Sequence, residues 1–509
     1  MQSDQLKLKK MKLSKLNILL LLTLFVSGCT DLVENPVGRL IPDGFIKSEK
    51  DVQTVIYGAY GKMASDNYWG REMAAAIMLR SDMVDIGNRS TVAARIQIND
   101  FNTNSTNAMI GTFWPMAYQT IDAVNTAIAG AENLEPTVGI KALIGEAKFI
   151  RAFTYFNLVR LFGDIPYLDE PVKDPEAVAT ISKTAESTVY QKIIDDLAYA
   201  KENLPMRHPL DDVRSRPSRG SAYTMLADVY LTIGNWQEAY NNAKWVIDNA
   251  ASLNYALESD YQDLFDSGKQ DGMPEHIFAI EYKRGSAWPF DYDSHAAFTG
   301  MSGSDEVAGF DVAVPSLAVY TTWDSRDYRK KVALADSAHY NGLLVPYTKF
   351  QGTQRPHIAK YWRHMGVPRD LVTDTENNYA IYRYAEVLLT AAEALNEVSG
   401  PTAEARGYVN QVRARARNWA GTATDFPADV NSGISKDDFR TLVLEERRLE
   451  LSFEFKRWWD IKRRKMGNDV FKGPNSLEPH PDFNDNQYLL PIMQRDIDLN
   501  PNLTQNPGY

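Results

Sequence analysis

Two short aromatic stretches carry the residue types best suited to recognising a ligand. Tyr68 and Trp69 stand in Asp66-Asn67-Tyr68-Trp69-Gly70, and Trp288, Phe290 and Tyr292 stand in Trp288-Pro289-Phe290-Asp291-Tyr292. Both stretches are turn-rich, so no apolar helix face accounts for their rings. A flat ring stacks on the apolar C–H face of a pyranose, while nearby Asp, Asn and Arg side chains suit its hydroxyls. These five residues are the candidate ligand contacts. The competing arrangement for each is a ring folded back onto the core, because aromatic side chains are mostly buried. Trp114, Trp236, Trp245, Trp419 and Trp458 fall on helical segments and read as core packing.

The sequence lacks the motifs of covalent or metal-assisted catalysis. His208, His276, His295, His339, His357, His364 and His480 are scattered, with no HxH or HExxH, which speaks against a zinc hydrolase. No GxSxG elbow occurs, and Gly300-Met301-Ser302-Gly303 falls one residue out of that pattern. Neither a P-loop nor a GxGxxG turn is present. One cysteine, Cys29, excludes a disulfide framework and any multi-thiolate metal site. There are 66 Asp and Glu residues, so counting does not exclude a glycosidase pair, but nothing singles out two of them and they read as solvated surface acids. The expectation is therefore no catalytic residue, no metal and no cofactor. A net charge of -11 without a long basic run makes a poor nucleic-acid binder. A mean hydropathy of -0.37 excludes a multi-span membrane protein.

The elements that must hold these rings are mostly helical. Length alone, 509 residues, allows about three domains or one large helical unit. Apolar positions at helical spacing predict helices over Ser48–Ala64, with Ser48 as cap, and over Met109–Ala129. Helix pairs follow: Gly145–Phe162 with Ala185–Asn203, Ser221–Ile233 with Trp236–Asn249, and Tyr379–Glu397 with Thr402–Arg417. In the middle pair Gly234 permits the tight turn and Trp236 fills the wedge, while Ala227, Ala239 and Ala243 allow close approach, a pattern similar to tetratricopeptide repeats. Helical periodicity weakens between Tyr255 and Arg369, where Phe278–Tyr282 reads as a strand and glycine and aromatics increase. A strongly charged helix is predicted over Ser435–Arg464, its Glu450, Glu454, Arg457 and Asp460 spaced for pairing.

The N-terminus is a targeting segment. Five lysines precede an apolar run from Leu16 to Val26, which is too short to span a bilayer as a helix, and Val26-Ser27-Gly28-Cys29 follows. Cys after a small-residue pair is the bacterial lipobox pattern, in which the thiol takes a diacylglycerol and the freed amine a further acyl chain. The alternative is an ordinary signal peptide with an incidental cysteine. Several acyl chains anchor firmly, at about 0.8 kcal/mol per buried methylene. The expected organisation is a signal peptide at 1–28, a lipidated tether at 29–47 and one body at 48–509. Within the body a helix-pair scaffold spans about 142–254 and 376–464, a loop-rich insert about 255–375, and an extended segment 465–509.

Several stretches together resemble the SusD/RagB family of outer-membrane nutrient-binding lipoproteins. They are Trp114-x3-Tyr118-x2-Ile121-x3-Asn125, the run Glu146-Ala147-Lys148-Phe149-Ile150-Arg151-Ala152 continuing to Leu161-Phe162-Gly163-Asp164-Ile165-Pro166, the charged run from Glu446 to Arg463, and the ending Asn500-Pro501 to Asn506-Pro507-Gly508-Tyr509. The resemblance runs from Cys29 to Tyr509. It implies a mainly α fold of tetratricopeptide-like helix pairs forming a curved spine, few short strands, and an irregular, loop-rich ligand side. It implies a cell-surface lipoprotein that captures oligo- or polysaccharide without cutting it, and a partner, a TonB-dependent outer-membrane transporter. Two alternatives remain at this level: the same scaffold capturing peptides, and a lipid-anchored glycoside hydrolase.

Overall fold

The computed structural model describes residues 42–283, 293–366 and 375–509. The signal peptide, Cys29 and most of the tether lie outside the described residues, as do Trp288, Phe290 and Tyr292. Pro42–Phe45 forms one helical turn, and the body runs from Ile46 to Tyr509. Among the described residues no helix is long and apolar enough to cross a membrane.

The body is mainly helical. Helix α1 (Glu49–Ala64) is capped by the Ser48 side chain, which accepts from the Asp51 N–H, and it buries Val52, Ile56, Ala59 and Met63 as the spacing predicts. Helices α2 (Glu72–Leu79) and α3 (Ala93–Asn99) flank strand β1 (Val84–Ile86). Helix α4 (Ala108–Glu132) starts at the Asn107 cap, and α5 (Val138–Phe162) is buried along most of its length. Then come α6 (Glu186–Asn203), α7 (Arg219–Thr232) and α8 (Trp236–Asp248). Strand β2 (His276–Ile280), α9 (His295–Thr299), strand β3 (Ala313–Pro315) and the hairpin β4 (Ser337–Tyr340) with β5 (Leu343–Pro346) make up the insert. Strand β6 (Tyr379–Arg383) leads into α10 (Tyr384–Ser399), α11 (Ala403–Ala416), α12 (Lys436–Glu450) and α13 (Arg457–Arg463).

The predicted pairs pack as pairs: α5 on α6, α7 on α8 and α10 on α11, with α8 also against α10. Gly234 takes φ 78°, a left-handed conformation that a side chain would strain, and so closes the α7–α8 turn. Trp236 fills the wedge with Leu231, Ala239 and Ala394, and the Arg464 guanidinium lies 4.5 Å from its ring centre. The strands are short antiparallel pairs, β1 with β3 and β2 with β6.

Two predicted helices differ from expectation. Tyr379–Arg383 is a strand because its alternating aromatic and branched residues pair with His276–Ile280, and the helix starts only at Tyr384. The charged helix is broken between Glu450 and Arg457, where Phe453 and Phe455 adopt φ 62° and 61°. The break drives Phe455 into a ring cluster with His295, Tyr361, Tyr379 and Trp69. Trp419, expected on a helix, sits in a two-residue strand and packs on Tyr328.

The charged motifs are structural, as their spacing suggested, and beside pairs along one helix such as Arg463 with Asp460 they also pair between elements. Arg216 and the Tyr60 hydroxyl donate to Glu146 at 2.6–2.9 Å, and Arg151 donates to Asp196 at 2.7 Å. Arg457 holds Asp82 of the α2–β1 connection at 2.7–2.8 Å, and Asp460 accepts from Arg447 of α12. The C-terminus wraps in extended form: Asn506 Nδ2 donates to the Phe162 and Leu490 carbonyls, both at 2.8 Å.

Candidate functional site

The first aromatic stretch turns inward. Helix α1 ends at Ser65, and Tyr68 and Gly70 donate their N–H groups to the Ser65 carbonyl at 2.8 and 2.9 Å. This tight turn aims both rings into the core, leaving Tyr68 0% and Trp69 2% exposed. Trp69 stacks on Phe153 of α5 at 5.3 Å and meets Phe455 edge-on at 6.2 Å. The reading of Tyr68 and Trp69 as ligand contacts is therefore corrected: they pack the core and offer no face to a sugar. The polar neighbours that suggested exposure do lie outside, with Asn67 exposed and Asp66 and Arg71 partly so.

The same turn also meets residues that border the second stretch, which itself lies outside the described residues. Ser294 donates its N–H to the Gly70 carbonyl at 3.2 Å and its hydroxyl to Asp66 Oδ1 at 2.6 Å. On the other flank, the Tyr282 hydroxyl donates to the Ala64 carbonyl at 3.0 Å. Residues on both sides of 284–292 are thus tied to one corner, beside the Arg71–Asp66 ion pair at 2.7 Å. Thr375 Oγ1 donates to Asp293 Oδ2, so the residue following 284–292 meets the residue following 367–374.

Asp293 is buried, and burial raises its carboxyl to about 7 against the opposing hydrogen bonds from Thr375 and the His295 N–H. A raised acid pKa means that the folded state holds its proton longer than the unfolded chain. Its stabilising contribution is complete below the ordinary carboxylate pKa and is lost as pH rises to about 7. Asp293→Asn keeps an acceptor for the His295 N–H and lets its amide nitrogen donate to the Thr375 hydroxyl, without the charge. The expected result is a variant more stable than the parent by roughly 2–4 kcal/mol at pH 8, the gain vanishing near pH 4. Urea midpoints at the two pH values check it, and an equal loss at both would contradict it.

One ring does stand at the surface of the loop-rich insert. Phe310 is 50% exposed. Its N–H donates to the Ala297 carbonyl at 2.8 Å, and the Asp311 N–H to the Gly300 carbonyl at 3.0 Å. At Gly309 a Cβ would collide with the Gly300 carbonyl carbon, so only glycine lets the two strands of the loop close. Asp311 sits at φ 52°. Its carboxylate accepts from His357 Nε2 and the Ser302 N–H, each at 2.9 Å, and its carbonyl accepts the Asn88 N–H at 2.7 Å. Phe310 is therefore presented by a loop fixed from several sides, and Asn88, Arg89, Ser90 and Gln351 lie exposed in the segments bonded to that loop. Preorganisation of this kind lowers the ordering cost of binding a ligand. Sequence reasoning passed over Phe310, although Gly309-Phe310-Asp311 is the same signal as the stretches it chose: a ring between a turn residue and an acid.

A half-exposed ring suits the apolar face of a sugar, and no three His, Cys, Asp or Glu side chains converge as a metal site among the described residues. Residues 236–509 match the SusD family, and residues 36–231 match the group described as starch-binding associating with outer membrane. The chain belongs to the SusD family. It is 45% identical over 505 residues to SusD-like protein P2 of Formosa agariphila, covering 97% of this chain and 98% of that protein. SusD-family structures share its fold. A SusD homolog from Bacteroides thetaiotaomicron superposes with a TM-score of 0.80 at 23% identity, covering 92% of this chain and 98% of the other. Surface glycan-binding protein A from the same species, in complex with laminarihexaose, gives 0.74 at 20% identity, covering 90% and 100%.

Proposed function

We propose that this SusD-family protein is a non-catalytic glycan receptor of the cell surface, anchored through lipidated Cys29, that hands oligo- or polysaccharide to a TonB-dependent transporter. The observation that carries the reading is Phe310, a ring held half-exposed by a preorganised loop. Trp288, Phe290 and Tyr292 are proposed to add ring surface, since one flank of their segment is tied to the Asp66–Gly70 turn and the other to Ala64 at the end of α1. Family membership supports the reading: one structural relative is described as a laminarin binding SusD-like protein, another is held with laminarihexaose, and a matching family description places its members at the outer membrane.

Each ring stacked on a sugar contributes roughly 1–2 kcal/mol, so Phe310→Ala is expected to weaken binding about five- to thirtyfold with folding intact. Retardation in native gels cast with laminarin and other polysaccharides measures this, with peptide digests as the competing cargo. Unchanged retention in both Phe310→Ala and Trp288→Ala would remove these rings from the site. New reducing ends after incubation with the retained glycan would overturn the non-catalytic reading.

A further inference from the structure

Among the described residues of the segments around the candidate rings, Arg71, Arg89 and Arg355 each have a carboxylate partner, and Arg95 does not. Arg71 pairs with Asp66 at 2.7 Å, Arg89 with Asp100 at 2.7 Å, and Arg355 with Asp85 at 2.5 Å. Arg95, in the first turn of α3, pairs with none among the described residues. Its Nη1 donates only to the neutral Thr91 hydroxyl at 3.1 Å, its guanidinium lies 5.3 Å from the centre of the Phe298 ring, and its Nε is closed off from solvent without a hydrogen-bond partner. Phe298 belongs to α9, the helix whose Ala297 carbonyl receives the Phe310 N–H, so Arg95 and the exposed ring share one support.

A half-buried guanidinium with spare donors is costly, and acids are plentiful in this chain, which carries 66 Asp and Glu against 55 Lys and Arg. Burial lowers the stability of its charged form, with Glu72 and Asp66 only partly offsetting this and Arg71 opposing. Those two acids are already engaged by Arg71 at 2.7–2.8 Å. Thr91 uses one of the five N–H donors of Arg95 and the Nε–H is sealed from solvent, which leaves the Nη1–Nη2 edge for a ligand. The planar fork that remains matches the geometry of a carboxylate or sulfate, which accepts two parallel bonds, better than that of a lone hydroxyl.

Resting on the glycan-receptor reading above, we infer that the site selects acidic glycans, with Arg95 binding a uronate carboxylate or sulfate ester of the sugar. The net charge of -11 repels polyanions at long range, so selection must come from this local contact.

The full-length chain, Arg95→Met, Arg95→Lys and Phe310→Ala are compared by gel retardation on laminarin (neutral), polygalacturonate, carboxyl-reduced polygalacturonate and carrageenan, at 50 and 500 mM NaCl. The expected result is preferential retention of the parent by an acidic glycan, a preference that falls at least tenfold in Arg95→Met and only partly in Arg95→Lys. Loss of binding on carboxyl reduction assigns the partner as a carboxylate, and retention confined to carrageenan assigns it as a sulfate. A parent that prefers laminarin, or an acidic preference unchanged in both Arg95 variants, overturns the inference. If Phe310→Ala still loses binding in that case, the receptor reading survives. If no glycan is retained by the parent, the receptor reading itself falls. Should Arg95→Met not fold, Arg95→Lys and the carboxyl-reduced polymer decide alone.

Discussion

Arg383→Met is expected to destabilise the body by roughly 3–5 kcal/mol, because it breaks a buried charge network from one side. Arg383 is 1% exposed and donates to Glu454 at 2.7 Å, Glu275 at 2.6 Å and Glu450 at 3.0 Å. Arg415 and Arg329 complete the cage around Glu450, and Lys360 donates to Glu454 at 2.7 Å. Burial alone would raise the Glu450 carboxyl, but Arg415, Arg383 and Arg329 overcome it and hold the group at about 2. Its ionised form thus contributes stability above the ordinary carboxylate pKa, lost as pH falls toward 2. With Arg383 gone, three carboxylates face one cation fewer, and protonation relieves them. The stability gap to the parent should therefore be widest near pH 7 and narrow on acidification, as urea unfolding at several pH values will measure. A gap under 1 kcal/mol at pH 7 would show the network to be dispensable.

Trp69→Ala is expected to cost a similar 3–5 kcal/mol, as truncation of a buried aromatic leaves a cavity. Its ring is clamped between Phe153 and Phe455, and the latter is positioned by the break after α12. Any loss of glycan binding should follow the loss of fold, with affinity near that of the parent at temperatures where the variant remains native. Thermal unfolding and gel retardation on the same samples test this. A variant with the parent's Tm but no glycan retention would return the Asp66–Gly70 turn to the binding surface.

These two residues divide what was legible from what was not. The helix pairs were readable because apolar periodicity and caps such as Ser48 are local: residues three and four apart share a face whatever the rest of the chain does. Glu146 and Arg151 were recognisable as structural charges because they sit on a helix too apolar to be solvated, though only the fold shows that their partners are Arg216 and Asp196. The Tyr379–Arg383 strand was misread because its partner, His276–Ile280, lies about a hundred residues away, and a short apolar run does not by itself distinguish strand from helix.

The candidate site was harder still. Whether a ring in a turn faces water or core depends on what stands opposite it. Phe153 and Phe455 stand opposite Trp69, whereas the loop carrying Phe310 closes on Gly300, His357 and Asn88 and leaves its ring outside. Local sequence alone determined the helix pairs and the expectation of a lipobox at Cys29, since each is encoded in residues close along the chain, while the resemblance over the whole chain carried the expectation of a receptor. Tertiary structure alone decided which aromatics remain exposed and that Arg95 has no carboxylate partner among the described residues, because burial and charge pairing belong to contacts between segments that the chain brings together only when it folds.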